Sequence, residues 1–172
     1  MVVIQLSRME FEYAAFVGLQ RTTQRMFNGG KHAYGARQSK GLFDTNLGGS
    51  VAEYAVAKFL QCNWSNDPES TQIPDVGGIV EVRSTPHEDG MLRIHEADKD
   101  HLPYVLALTH ELPIVRLVGW TYGRDGKDPA KFKDVWNTGR PAFWVPQHEL
   151  MGMNELKERY EAWRIKKEME AP

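Results

Sequence analysis

Between Pro74 and Thr85 the chain reads PDVGGIVEVRST, and this stretch limits the fold more tightly than any other. Two adjacent glycines mark a turn, and a β-branched run follows at once. A strand alternates its side chains across the sheet. Val80 and Val82 therefore point to one face, and Ile79, Glu81 and Arg83 to the other. The valine face is core. The opposite face carries a carboxylate and a guanidinium where a half-buried strand favours apolar groups.

Register decides whether the acids of this stretch meet. If the turn is Gly77-Gly78 alone, Asp75 pairs with Val80 and lies on the core face. A three-residue connection, Val76-Gly77-Gly78, pairs Asp75 with Ile79 and sets it on the face of Glu81 and Arg83. The sequence permits both registers. Only the second keeps an unpaired aspartate away from the valines, where it would cost on the order of several kcal/mol or take up a proton. Converging carboxylates repel, and either Arg83 or a divalent cation offsets the repulsion. Magnesium takes oxygen ligands and keeps several waters, so two carboxylates and the carbonyl of Val82 form an adequate donor set. Water on such an ion is a better nucleophile, and the ion stabilises charge on a phosphoryl oxygen.

The rest of the chain sets the setting for this site. Its 172 residues suit a single domain, 1–172, with a core that needs no staples. The lone cysteine, Cys62, excludes an internal disulfide framework and a cysteine-based zinc cluster. An intracellular, cytoplasmic location is the corresponding expectation. The apolar runs are too short to span a bilayer, and the N-terminus gains charge too early for a secretory signal. A net charge of −2 gives no global attraction for nucleic acid, so any such attraction is local. One local field exists. From Arg21 to Lys40 the chain has Arg21, Arg25, Lys31, His32, Arg37 and Lys40 with no acid among them. Its glycine-rich middle reads as a loop able to follow a phosphate backbone, or simply as a solvated surface.

Periodicity predicts a helix over Ser7 to Met26, with Phe11, Ala14, Ala15, Leu19 and Met26 near one stripe. A second helix is expected in GGSVAEYAVAKFLQ, capped at Ser50, with Ala52, Ala55, Val56 and Phe59 facing the core. Strands are expected at 71–76, 79–85, 91–95, 104–109 and 114–122. A short helix is expected in DPAKFKDVWNTG, a short strand in AFWVPQ, and an amphipathic terminal helix over 153–170. The fold class is α/β with a mixed central sheet flanked by helices. His87, His95, His101 and His110 lack metal-ligand spacing. Trp120, Trp136 and Trp144 read as core or core-edge aromatics.

In order and spacing, Glu53, Pro74-Asp75 and Glu81-Val82-Arg83 resemble the PD-(D/E)XK superfamily of restriction-endonuclease-like nucleases, its small phage-encoded members in particular. The resemblance spans roughly residues 44–156, preceded by the helix and basic loop of 1–40. It implies the αβββαβ restriction-endonuclease-like core and hydrolysis of DNA phosphodiesters, with Mg2+ or Mn2+ as cofactor. Glu53, on the helix that opens the core, would join Asp75, Glu81 and the Val82 carbonyl around the ion. Arg37, Lys40 and His87 are candidate substrate contacts. DNA is the implied partner, a homodimer is one arrangement for cutting both strands, and a phage-encoded member would act in the host cytoplasm. One departure stands out: Arg83 occupies the place of the superfamily lysine. An arginine stays protonated and is no base, but its fork of donors can hold a water or a phosphate. The rivals are a catalytically inactive nucleic-acid-binding module on the same fold and a structural protein with an ion-paired sheet.

Overall fold

The computed structural model describes residues 1–27, 39–64, 73–135, 137 and 139–170. The chain opens with strand β1 (Val2–Gln5) and helix α1 (Arg8–Phe27), followed by helix α2 (Ser39–Leu60). Strands β2 (Glu81–Thr85), β3 (Leu92–Ile94), β4 (Pro103–Glu111) and β5 (Ile114–Tyr122) come next, then a single helical turn α3 (Gly123–Gly126). Strands β6 (Phe132–Lys133) and β7 (Ala142–Val145) precede the closing helix α4 (Met153–Glu170). The result is a mixed α/β fold. No helix among the described residues is long and apolar enough to cross a membrane.

Helix α1 starts at a capping box. The Ser7 N–H donates to Glu10 Oε2 (2.7 Å) while the Glu10 N–H donates back to Ser7 Oγ (3.3 Å). Ala14 is fully buried and Phe11 packs half-buried on the core as expected, but the buried face then runs through Val17 and Thr22, and Leu19 and Met26 are exposed. The cause is the close crossing of α2. A Cβ on Gly18 would lie 2.7 Å from Ser50 Oγ and 2.9 Å from the Asn46 carbonyl oxygen, so only glycine fits there. Beside it the Asn46 side-chain amide donates to Thr22 Oγ1 (2.9 Å), a buried polar knot between the helices.

Ser50 is therefore no cap. Helix α2 begins at Ser39, and Ser50 is buried in mid-helix, donating to the Leu47 carbonyl (3.1 Å). The glycines ahead of Ser50 read as a helix boundary, but tertiary packing overrides their low helix propensity. Val51, Ala52, Ala55 and Val56 are fully buried, as the helical period required.

The main sheet has strand order β1-β5-β4-β2, with β2 and β4 parallel and the remaining pairs antiparallel. A second, antiparallel sheet has order β3-β7-β6. Strand β4 is buried on both faces. Val105 and Ala107 pack with α2, Val80 and Val82, whereas Tyr104, Leu106 and Leu108 pack with Leu92, Ile94 and Val145 of the second sheet. The run YVLALT is thus a two-faced central strand, which explains its lack of alternation.

Several expectations change here. Strand β1 was not anticipated; four residues pairing with distant β5 leave little local signal. Residues 73–76 form no strand: Val76 makes an isolated antiparallel bridge to Val80 and another to Trp64, and 71–72 lie outside the described residues. The helix expected in 128–139 is a single 3-10 turn, Pro129–Lys131, capped by Asp128, before β6 begins. Between parallel β2 and β4 the chain crosses over through β3 and turns. Trp120 is fully buried, Trp144 is half-buried, and Trp136 lies outside the described residues.

Candidate active site

The glycine turn takes a third register. The Val76 and Val80 backbones exchange N–H···O bonds of 3.0 Å each, so the connection is Gly77-Gly78-Ile79 and Asp75 flanks Glu81 rather than pairing with Ile79. Gly77 and Gly78 have φ of +58° and +76°, the left-handed region that favours glycine. Val76, Val80 and Val82 are buried on the helix side, which leaves Asp75 and Glu81 off the valine face as expected.

Asp75 sits against the outer edge of β2. Its Oδ2 accepts the Val82 N–H at 2.8 Å. A strand residue directs its N–H and C=O to the same edge, so the Val82 carbonyl also faces the Asp75 side, away from β4. Burial, then the charges of Glu53 and Glu81, push the Asp75 carboxyl up to about 7 despite the Val82 N–H and Arg83. Burial also raises Glu81, against the pull of Arg83.

Glu53 turns inward from α2 as expected, but it is already well partnered. Arg21 of α1 donates to both its oxygens (2.7 and 2.8 Å), and the Trp64 indole N–H donates to Oε2 (3.0 Å). Tyr13 and Tyr54 pack edge-on around Trp64 at centroid distances of 5.8 and 5.5 Å and fix its orientation. Burial opposes the charge on Arg21, but Glu53 and then Asp75 outweigh it and raise its pKa.

Arg83 is equally engaged. Its guanidinium donates to Glu81 Oε2 (3.2 Å) and to both oxygens of Asp98 (3.1 and 3.2 Å), and it lies over the Tyr104 ring at 5.2 Å. Burial again opposes its charge, and Asp98, Glu81 and Asp75 outweigh burial. Asp98 was not singled out from the sequence. It also accepts the His95 N–H (2.8 Å), and Lys127 secures its turn by binding the Glu96 and Asp98 carbonyls and the Asp100 carboxylate. The signal was present in HEADKD, an acid-rich turn; what was missing was its distance from Arg83.

Glu53 and Glu81 both act electrostatically on Asp75. Among the described residues no group of three or more His, Cys, Asp or Glu side chains is placed to hold a metal ion. A smaller donor set does fit a hard cation in kind: Asp75 and Glu81, which crowd each other electrostatically, and the Val82 carbonyl on the same edge. His87 is exposed on the loop after β2, its N–H bonded to Thr85 Oγ1 (3.3 Å). Arg37 lies outside the described residues, as do Lys31 and His32; Lys40 and Arg25 lie within α2 and α1, and their side chains are outside them too. No family model, curated protein or solved structure matches the chain.

Proposed function

We propose that the chain hydrolyses DNA phosphodiester bonds with a divalent cation, Mg2+ or Mn2+, on a restriction-endonuclease-like arrangement of α2, the glycine turn, β2 and β4. The observation that carries this reading is Asp75, a carboxyl at a sheet edge whose ionisation is opposed by burial and by two neighbouring acids. Arg83 offsets this excess of negative charge only in part, and a bound cation would supply the rest. Asp75, Glu81 and the Val82 carbonyl would hold the ion, and Glu53 adds negative charge from the helix side. Once bound, the ion lowers the pKa of a bound water and takes up charge on the phosphoryl oxygen. Arg83 orients Glu81 and, when a phosphate competes with Asp98 for its donors, presents a planar fork to the phosphate oxygens. His87, Lys40 and Arg37 would contact the substrate backbone.

A second reading has its own support. Arg83, tied to Glu81 and Asp98, already supplies a permanent positive charge inside the acid cluster. In that case the chain is a non-catalytic nucleic-acid-binding module. Cleavage of single- and double-stranded DNA across a Mg2+ and Mn2+ series, with EDTA as control, separates the two. Metal-dependent cleavage by wild type supports the first. Its absence in both wild type and Arg83→Lys, with DNA still bound, supports the second.

A further inference from the structure

Beside the glycine turn lies a concave pocket of about 710 Å³ that the proposed chemistry does not use. Trp64, Tyr160 and Trp163 line it with the Gly77–Gly78 turn, and its charged lining is Arg164, Lys167 and Glu168, two cations to one acid. Gly77 and Tyr160 meet closely there, since a Cβ on Gly77 would lie 2.6 Å from the Tyr160 ring. Tyr160 and Trp163 tilt against each other with centroids 5.9 Å apart. The Lys167 ammonium sits 5.0 Å from the Trp163 centroid. Arg164 is only loosely engaged: its Glu168 partner is 3.8 Å away, and both side chains are more than half exposed at 51% and 71%.

We infer that this pocket is a docking subsite for one or two nucleotides of a single-stranded nucleic acid on its way to Asp75. The class of ligand rests on the nuclease reading above; the pocket's chemistry points the same way. Aromatic faces accept any base, and the neighbouring guanidinium and ammonium match its phosphate. An acidic peptide would use the cations but leave the indole face without a partner. A duplex keeps its bases stacked on one another and offers no free face. Gly77 lines the pocket and only Val76 separates it from Asp75 along the chain, so a strand lying in the pocket passes close to the edge of β2. Trp64 joins the two regions, because the same indole that lines the pocket donates to Glu53.

The test is fluorescence polarisation of labelled oligodeoxythymidine of roughly 12 nucleotides, a length typical of stacking grooves, titrated in EDTA so that nothing is cut. Trp163→Ala is expected to weaken binding about tenfold, the scale of one lost base stack. Trp163→Phe should restore most of it, and a melting temperature of Trp163→Ala close to wild type excludes a folding defect as the cause. Arg164→Glu with Lys167→Glu should weaken binding similarly and flatten its salt dependence. Equal affinity for wild type and Trp163→Ala overturns the inference, as does binding of duplex but not single strand. Trp163-dependent binding with no cleavage in any metal keeps the pocket and discards the nuclease. Metal-dependent cleavage with binding indifferent to Trp163 does the reverse.

Discussion

Glu53 and Asp75 differ in how the protein treats them, although the sequence pattern casts them as members of one set. Glu53 receives a bidentate arginine and an indole N–H. Asp75 receives one backbone N–H, with two other acids acting on it. A carboxylate in the first setting is a finished piece of structure; in the second it is a stored repulsion that a ligand can relieve. The contrast shows that a fold can neutralise its buried acids unequally, Glu53 fully and Asp75 only in part.

Breaking the open position should have the largest effect. Asp75→Asn keeps an acceptor for the Val82 N–H but removes a charge, and is expected to lower metal-dependent cleavage by about a hundredfold or more. Without metal the same variant should melt at or above the wild-type temperature at pH 8. The sign follows from linkage. The Asp75 pKa is raised from 3.8 to about 7 in the folded state. The folded chain therefore holds a proton that the unfolded chain has lost, and wild-type stability falls between about pH 4 and pH 7. Above that it levels off. Melting scans in EDTA across this window should show that slope in wild type and lose it in Asp75→Asn.

Arg83 tests whether the second acidic cluster is closed like Glu53 or open like Asp75. If it clamps the phosphate, Arg83→Ala should cost about a hundredfold in rate and Arg83→Lys should retain activity. Full rescue of Arg83→Ala at saturating Mg2+ would reduce its role to balancing Glu81 and Asp98. On the closed side, Arg21→Ala strands Glu53 in a buried site with one donor left. The expected loss is about 3 kcal/mol of stability, read by chemical denaturation. A loss below about 1 kcal/mol would mean that Glu53 is not closed at all.

The surface pair Glu10–Lys58, at 2.8 Å, gives the smallest effect. The Lys58 hydrogen bond and the Ser7 N–H hold the Glu10 carboxyl down to about 2. Its stabilisation is complete above the unfolded value of 4.5 and disappears as pH falls toward 2. Solvent screening limits it, so Lys58→Met should cost about 0.5 kcal/mol at pH 7 and only a small part of that at pH 2, where the Lys58 bond to the Gln5 carbonyl remains.

Much of this was legible in the residues themselves. Val80 and Val82 declared the core face by alternation, and Ala52, Ala55 and Val56 declared theirs by helical period. The Asp75–Glu81 adjacency followed from the need to keep an acid out of a valine core, even though the turn lies one residue later than expected. What could not be read were the facts that depend on distant partners. Nothing near Glu53 announces Arg21, 32 residues away, and nothing near Arg83 announces Asp98. Ser50 misled because glycine before serine is a local sign of a helix start, while the real constraint was Gly18 on the neighbouring helix.

The double burial of β4 has a temporal consequence. Neither layer can lift away without exposing an apolar row of that strand, so its amides should open only when the whole domain does. They should be among the last to exchange with deuterium. Strand β2 is stitched to β4 along one side and carries Glu81 and Arg83. On its other side, among the described residues, the Asp75 carboxylate accepts the Val82 N–H, and the Val76–Val80 bridge lies just ahead of the strand. The two flanks of one five-residue strand should therefore keep very different clocks, slow against β4 and fast toward the edge where Asp75 sits.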